Sequence, residues 1–78
     1  MNEYEYLFDS PELLKDKPLD AAYILEVVSK SKLKPIVVRV DNYRGQVIFY
    51  FEKTLGKEEK SELDLLVKKI FQEWKRWK

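Results

Sequence analysis

The spacing of apolar positions changes along this chain, and each change predicts an element. "EYEYLF" alternates acid and aromatic at period two, which predicts a short strand at Glu3–Phe8. "DSPELLKD" follows, with Ser10 before Pro11, the cap-then-proline start of a helical turn. Pro18 opens a longer helix over Leu19–Ser31, with Ala21, Ile24, Leu25 and Val28 recurring at three-and-four spacing as its apolar stripe. "KSKLK" interrupts that pattern, and Pro35 forbids continuation while suiting the start of a strand.

The strongest signal is "PIVVRVDNYRGQVIFYFEK", two β-branched and aromatic runs around the turn-forming "DNYRG". A loop over Asn42–Gly45 sets Val40 opposite Val47, Val38 opposite Phe49 and Ile36 opposite Phe51, all on one side of the pleat. The other side then carries Val37 with Tyr50, Arg39 with Ile48 and Asp41 with Gln46. One apolar face and one mixed face mark a hairpin covered from one side. A last helix is predicted over Lys57–Trp77, with Glu58 and Glu59 at its start and Lys75, Arg76 and Lys78 at its end, signs that suit the helix dipole. The fold class is therefore α+β. We expect a single domain over residues 1–78 in the order β-α-β-β-α, an antiparallel sheet with two helices packed on one face.

The closing "FQEWKRWK" reads in one dimension as aromatic rings interleaved with cations. On a helix the interleaving disappears. At roughly 100° per residue, Leu63, Leu66, Val67, Ile70, Phe71, Trp74 and Trp77 share one side, whereas Lys68, Lys69, Gln72, Lys75 and Arg76 share the other. The tryptophans belong to the core stripe and the cations point away. That stripe runs about 21 Å, but the core face of the hairpin spans only about 13 Å. The helix end should overshoot a two-stranded sheet. Trp77 would then meet a second subunit, giving a twofold dimer, unless Tyr4, Tyr6 and Phe8 fold over the helix end as a third strand.

Charge adds an asymmetry that the formal net of +1 conceals. Residues 1–29 hold seven acids and two bases, net −5, and residues 30–78 hold thirteen bases and seven acids, net +6. Two surfaces follow. The cations Lys68, Lys69, Lys75 and Arg76 could track a phosphate backbone, although the same residues also make the ordinary solvated side of an amphipathic helix. Leu65 sits among them. The mixed sheet face, Val37, Arg39, Ile48 and Tyr50, together with Trp77, is the candidate protein interface, because Arg and aromatic side chains are favoured at interface centres. "RGQVIFYF" matches the signature strand of RNA-recognition modules only at Arg44, Gly45 and Phe51, and Phe49 and Phe51 fall on the core face, where they could not stack bases.

Catalysis finds little footing. The chain has no histidine and no cysteine, so the commonest general base and the thiol nucleophile are missing, and the two glycines form no phosphate loop. No catalytic residue, metal site or cofactor is expected. Apolar runs are too short to cross a bilayer and the acidic opening is unlike a signal peptide, so the expectation is a cytoplasmic protein without membrane contact.

"LDAAYILEVV", then "LKPIVVRV", then "QVIFYFEKT" before an amphipathic helix resembles a family of small phage and mobile-element proteins with an "LAAYL" helix and a "VxFxFE" strand. Ala21, Ala22 and Tyr23 carry the first motif, with Asp20 and Ile24 in place of its leucines; Val47, Phe49, Phe51 and Glu52 carry the second. The resemblance spans about Leu19–Trp74 and implies a mobile-element origin and no catalytic residues. The functional expectation is a non-enzymatic accessory protein acting through protein contacts, its partner another protein or a second copy of itself, with nucleic acid on the basic helix face as the alternative.

Overall fold

The computed structural model describes residues 2–76, so Trp77 lies outside the described residues. Strands β1 (Asn2–Leu7), β2 (Val37–Asp41) and β3 (Gln46–Phe51) form one sheet in the order β1-β3-β2, with helices α1 (Ala21–Ser29) and α2 (Lys57–Arg76) and a 3-10 turn over Pro11–Lys15. Both outer strands run antiparallel to β3. They are therefore parallel to each other, a split β-α-β arrangement with β3 inserted between them. The α+β class and the element order agree with the sequence pattern.

The hairpin adopts the expected register, with Val40 opposite Val47, Val38 opposite Phe49 and Val37 opposite Tyr50. Its loop closes because Asp41 Oδ1 accepts from the backbone N–H of Tyr43 at 3.0 Å, and Gly45 takes a φ of 72° that disfavours a side chain. A Cβ at Gly45 would also stand 3.1 Å from the Phe8 carbonyl oxygen. The Phe8 N–H in turn donates to the Gly45 carbonyl at 2.7 Å, which stitches the end of β1 to the hairpin.

One expectation about the hairpin fails. Ile36 does not face Phe51 in the core; it is 53 % exposed, and Phe51 pairs with Asn2 of β1 instead. Pro35 leaves the chain bent at this point, so β2 begins one residue later and the Ile36 N–H donates to the Tyr50 carbonyl. Leu33, from the connection before the proline, is among the buried core residues.

Helix α1 starts later and ends earlier than its apolar period suggests. Asp20 caps it, its carboxylate accepting from the Ala22 N–H at 2.9 Å, and Ser31 lies beyond its end, its hydroxyl donating to the Val28 carbonyl. At the start of α2, Glu59 reaches back to accept from the Gly56 N–H at 2.9 Å. Ile24 and Val28 from α1 and Leu63, Val67, Ile70 and Trp74 from α2 join Val38, Val47, Phe49 and Phe51 in one core.

The overshoot of the last helix is resolved within the chain as far as Trp74. The sheet has a third strand, and Tyr4 and Tyr6 set their rings edge-on to Phe51 and Phe49, with centroids 5.7 and 5.8 Å apart. Phe8 does the same to Phe71 at 5.1 Å. Trp74 packs beside Tyr23 of α1 and donates its indole N–H to the Lys17 carbonyl at 3.0 Å. The segment between the 3-10 turn and α1 is thus the cover for the helix end.

Candidate functional site

Strict alternation along three strands sorts the sheet into two faces. Tyr4 and Tyr6, Val38 and Val40, and Val47, Phe49 and Phe51 turn toward the helices. Glu3, Glu5 and Leu7 of β1, Val37, Arg39 and Asp41 of β2, and Gln46, Ile48 and Tyr50 of β3 form the face that the helices leave uncovered. The register arranges them in three rows across the sheet: Glu3–Tyr50–Val37, Glu5–Ile48–Arg39 and Leu7–Gln46–Asp41.

The structure therefore brings Val37, Arg39, Ile48 and Tyr50 together on one surface, as the hairpin pattern predicts. Trp77, the fifth member of that candidate interface, lies outside the described residues. Sequence reasoning missed the β1 contribution, Glu3, Glu5 and Leu7. The signal was present in the same alternation that identified the strand, but only the pairing of β1 with β3 shows which face these residues join. Apolar surface on this face is substantial: Leu7 is 65 % and Val37 40 % exposed. Glu5 is held in place, accepting from the Gln46 side-chain amide at 2.7 Å. Arg39, on the opposite flank of Ile48, forms no ion pair among the described residues.

The basic side of α2 is less uniform than its sequence. Lys68, Lys69 and Arg76 are exposed, but Lys75 is half-buried and bridges at 2.8 Å to Asp9, whose carboxylate is held below its usual range chiefly by that hydrogen bond. Leu65, 68 % exposed, stands among the free cations.

Between β1 and α2 lies a groove of about 330 Å³ lined by Tyr6, Leu7, Asp64, Lys68 and Phe71 among others. Its two acids already have partners, Asp9 in Lys75 and Asp64 in two donors. The Tyr6 hydroxyl and the Lys60 ammonium both donate to Asp64 Oδ1 at 2.6 Å. Lys60 first, and then Tyr6, hold the Asp64 carboxylate below its usual range, while burial followed by donation to Asp64 holds the Tyr6 hydroxyl far above its ordinary one. This is the economy of a structural bond, and it sets a pH dependence. A proton retained by folded Tyr6 and lost by the unfolded chain stabilises the fold fully below about pH 10, and that contribution declines as pH rises further. We expect the stability difference between wild type and Tyr6→Phe to be constant from pH 6 to about pH 10 and to shrink above it, measured by urea melts across that range. A difference that grows with alkali would mean that the hydroxyl is not the donor.

Among the described residues no group of three or more Asp or Glu side chains is placed to hold a metal ion, and no helix is long and apolar enough to cross a membrane. Comparison with known proteins leaves the surface to be judged on its own geometry: no family model, curated protein or solved structure matches this chain.

Proposed function

We propose that this chain is a non-enzymatic binding module that docks a protein on the open face of its sheet, as an accessory protein of a phage or mobile element. The mobile-element assignment rests on the likeness of "LDAAYILEVV" and "QVIFYFEKT" to that family. The observation that carries the docking assignment is the contiguous row structure of the face. Val37, Ile48 and Tyr50 supply apolar surface at its centre and far flank, with Arg39, Glu3 and Glu5 around them, the anatomy of an apolar centre with a charged rim. A rigid three-stranded platform presents these side chains at little ordering cost.

A photo-crosslinking side chain placed at Val37 tests the reading. Irradiation in cell extract should yield protein adducts, and Ile48→Asp in the same protein should abolish them. Absence of adducts, or adducts indifferent to Ile48→Asp, would remove the sheet face as the docking surface.

A second reading is favoured by one observation, exposed Lys68 and Lys69 one turn from exposed Leu65, with exposed Arg76 about two turns further along the same side of α2. If those three cations neutralise phosphates while Lys75 stays bound to Asp9, the logarithm of duplex-DNA affinity should fall against the logarithm of salt concentration with a slope of about −2.7. Each charge-removing substitution should flatten that slope by about 0.9. Failure to bind duplex at low salt would eliminate this reading.

A further inference from the structure

The open sheet face carries its charges in a pattern that can be matched by the same face. In the middle row, Glu5 and Arg39 flank Ile48 on opposite sides, each one strand away and at the same height along the sheet. Adjacent strands lie about 4.8 Å apart, so acid and base stand about equally far from the line of β3. Two such faces can be brought together in two simple ways. A twofold axis running across the strands sets β1 on β1 and Glu5 on Glu5, with Arg39 on Arg39, and both contacts repel. A twofold axis running along β3 exchanges the flanks: β1 of each copy lies over β2 of the other, and each Glu5 meets an Arg39.

We propose that the occupant of this face is a second copy of the chain, packed sheet to sheet about a twofold axis along β3, so that Glu5 of each copy pairs with Arg39 of the other around an Ile48–Ile48 contact. This rests on the reading of the sheet face as the docking surface and names its partner. The opposed β3 strands bring Ile48 onto Ile48 and Tyr50 beside Tyr50 near the axis, where apolar side chains are most useful. Aligned sheets cross at about −30° and stand about 10 Å apart, a gap that a glutamate and an arginine reaching toward each other can span. The crossing displaces the middle row less than the corners, because that row passes through the centre of the contact. It splays the corner residues Glu3, Val37, Leu7 and Asp41, where the rim stays wet. Glu5 is already oriented by the Gln46 amide on one oxygen, which leaves its other oxygen to accept from the guanidinium.

Size sets the class of interface. Three strands by six residues give a footprint of about 300 Å² per copy, well below the roughly 800 Å² per partner of a standard interface. The dimer belongs to the transient class, with a dissociation constant of order 100 μM.

Sedimentation equilibrium at low ionic strength, up to about 1 mM protein, should show wild type associating to dimers with that constant. Glu5→Arg and Arg39→Glu each turn two attractions into two repulsions and should weaken association about 10- to 30-fold, leaving monomers. Mixing the two single variants should restore association, because the mixed pair again sets base on acid at both contacts, and the double variant E5R/R39E should self-associate as wild type does. Both positions are exposed, and matching thermal melts would show that each variant is folded. A wild type that stays monomeric throughout would overturn the proposal. So would a dimer indifferent to the charge reversals, or single variants whose mixture stays monomeric. A monomeric wild type that still gives adducts with other proteins at Val37 would refute the self-pairing and leave the docking reading intact, whereas loss of both would refute both.

Discussion

Phe49→Ala is expected to lower the stability of the fold by about 3–5 kcal/mol, read as a fall in the denaturant midpoint at unchanged slope. The size of the loss follows from position. Phe49 lies on the central strand with no accessible surface, held between Tyr4 on one side and Val38 on the other, with the Tyr6 ring edge-on to it. A cavity there cannot close by a strand moving inward, because β3 is hydrogen-bonded along both edges. The surrounding walls relax little, and the cost approaches transfer plus cavity. Chains of this length carry about 4–12 kcal/mol in total, so the variant should stand near its unfolding threshold at room temperature. Tyr50→Ala, one residue away on the open face, is the control and should cost about 1 kcal/mol or less. Equal losses at the two positions would mean that the Tyr50 face is also covered.

Much of this arrangement was legible because two periodicities and one turn agreed. Alternation in "QVIFYF" and "VVRVD", with a loop whose length is fixed by Asp41 and Gly45, leaves a single register that puts Val47, Phe49 and Phe51 of β3 on one side. Ile36 went astray because alternation assumes a straight strand up to Pro35, and the chain bends there. The third strand was visible as an element but not as a neighbour. Nothing local in "NEYEYL" states that it pairs with β3, since that contact joins residues 39 to 49 positions apart. For the same reason the open face could be read only in part, and the acid that matches Arg39 was hidden in a strand with no assigned partner. The bond between Trp74 and Lys17 was equally out of reach, because a backbone carbonyl carries no sequence signature. Asn42 shows the same limit. Its residue type announced a turn, but its side chain also accepts from the Leu19 N–H at 2.7 Å and donates to the Leu19 carbonyl at 3.3 Å, tying the hairpin loop to the approach of α1.

Trp74→Ala should be the second severe substitution, also costing about 3–5 kcal/mol. The residue is 9 % exposed although it lies in the last turn and a half of α2, beyond the reach expected of the hairpin. Its burial comes from residues that follow β1: Lys17, whose carbonyl accepts the indole proton and whose ammonium stands 5.0 Å from the ring centre, and Tyr23, tilted against it at 5.7 Å. Loss of the ring therefore uncovers two elements at once, the end of α2 and the segment leading into α1. Trp74→Phe separates the contributions. It keeps most of the apolar contact and removes the donor to a partly buried carbonyl, for an expected cost of about 1–3 kcal/mol. Amide exchange adds a local readout, since Trp74→Ala should expose the backbone between Pro11 and Leu19 while β3 stays protected until global unfolding. A cost below about 1 kcal/mol would contradict this account of the helix end. The segment would then not be its cover, and the apolar stripe of α2 would have to be closed by surface from another molecule.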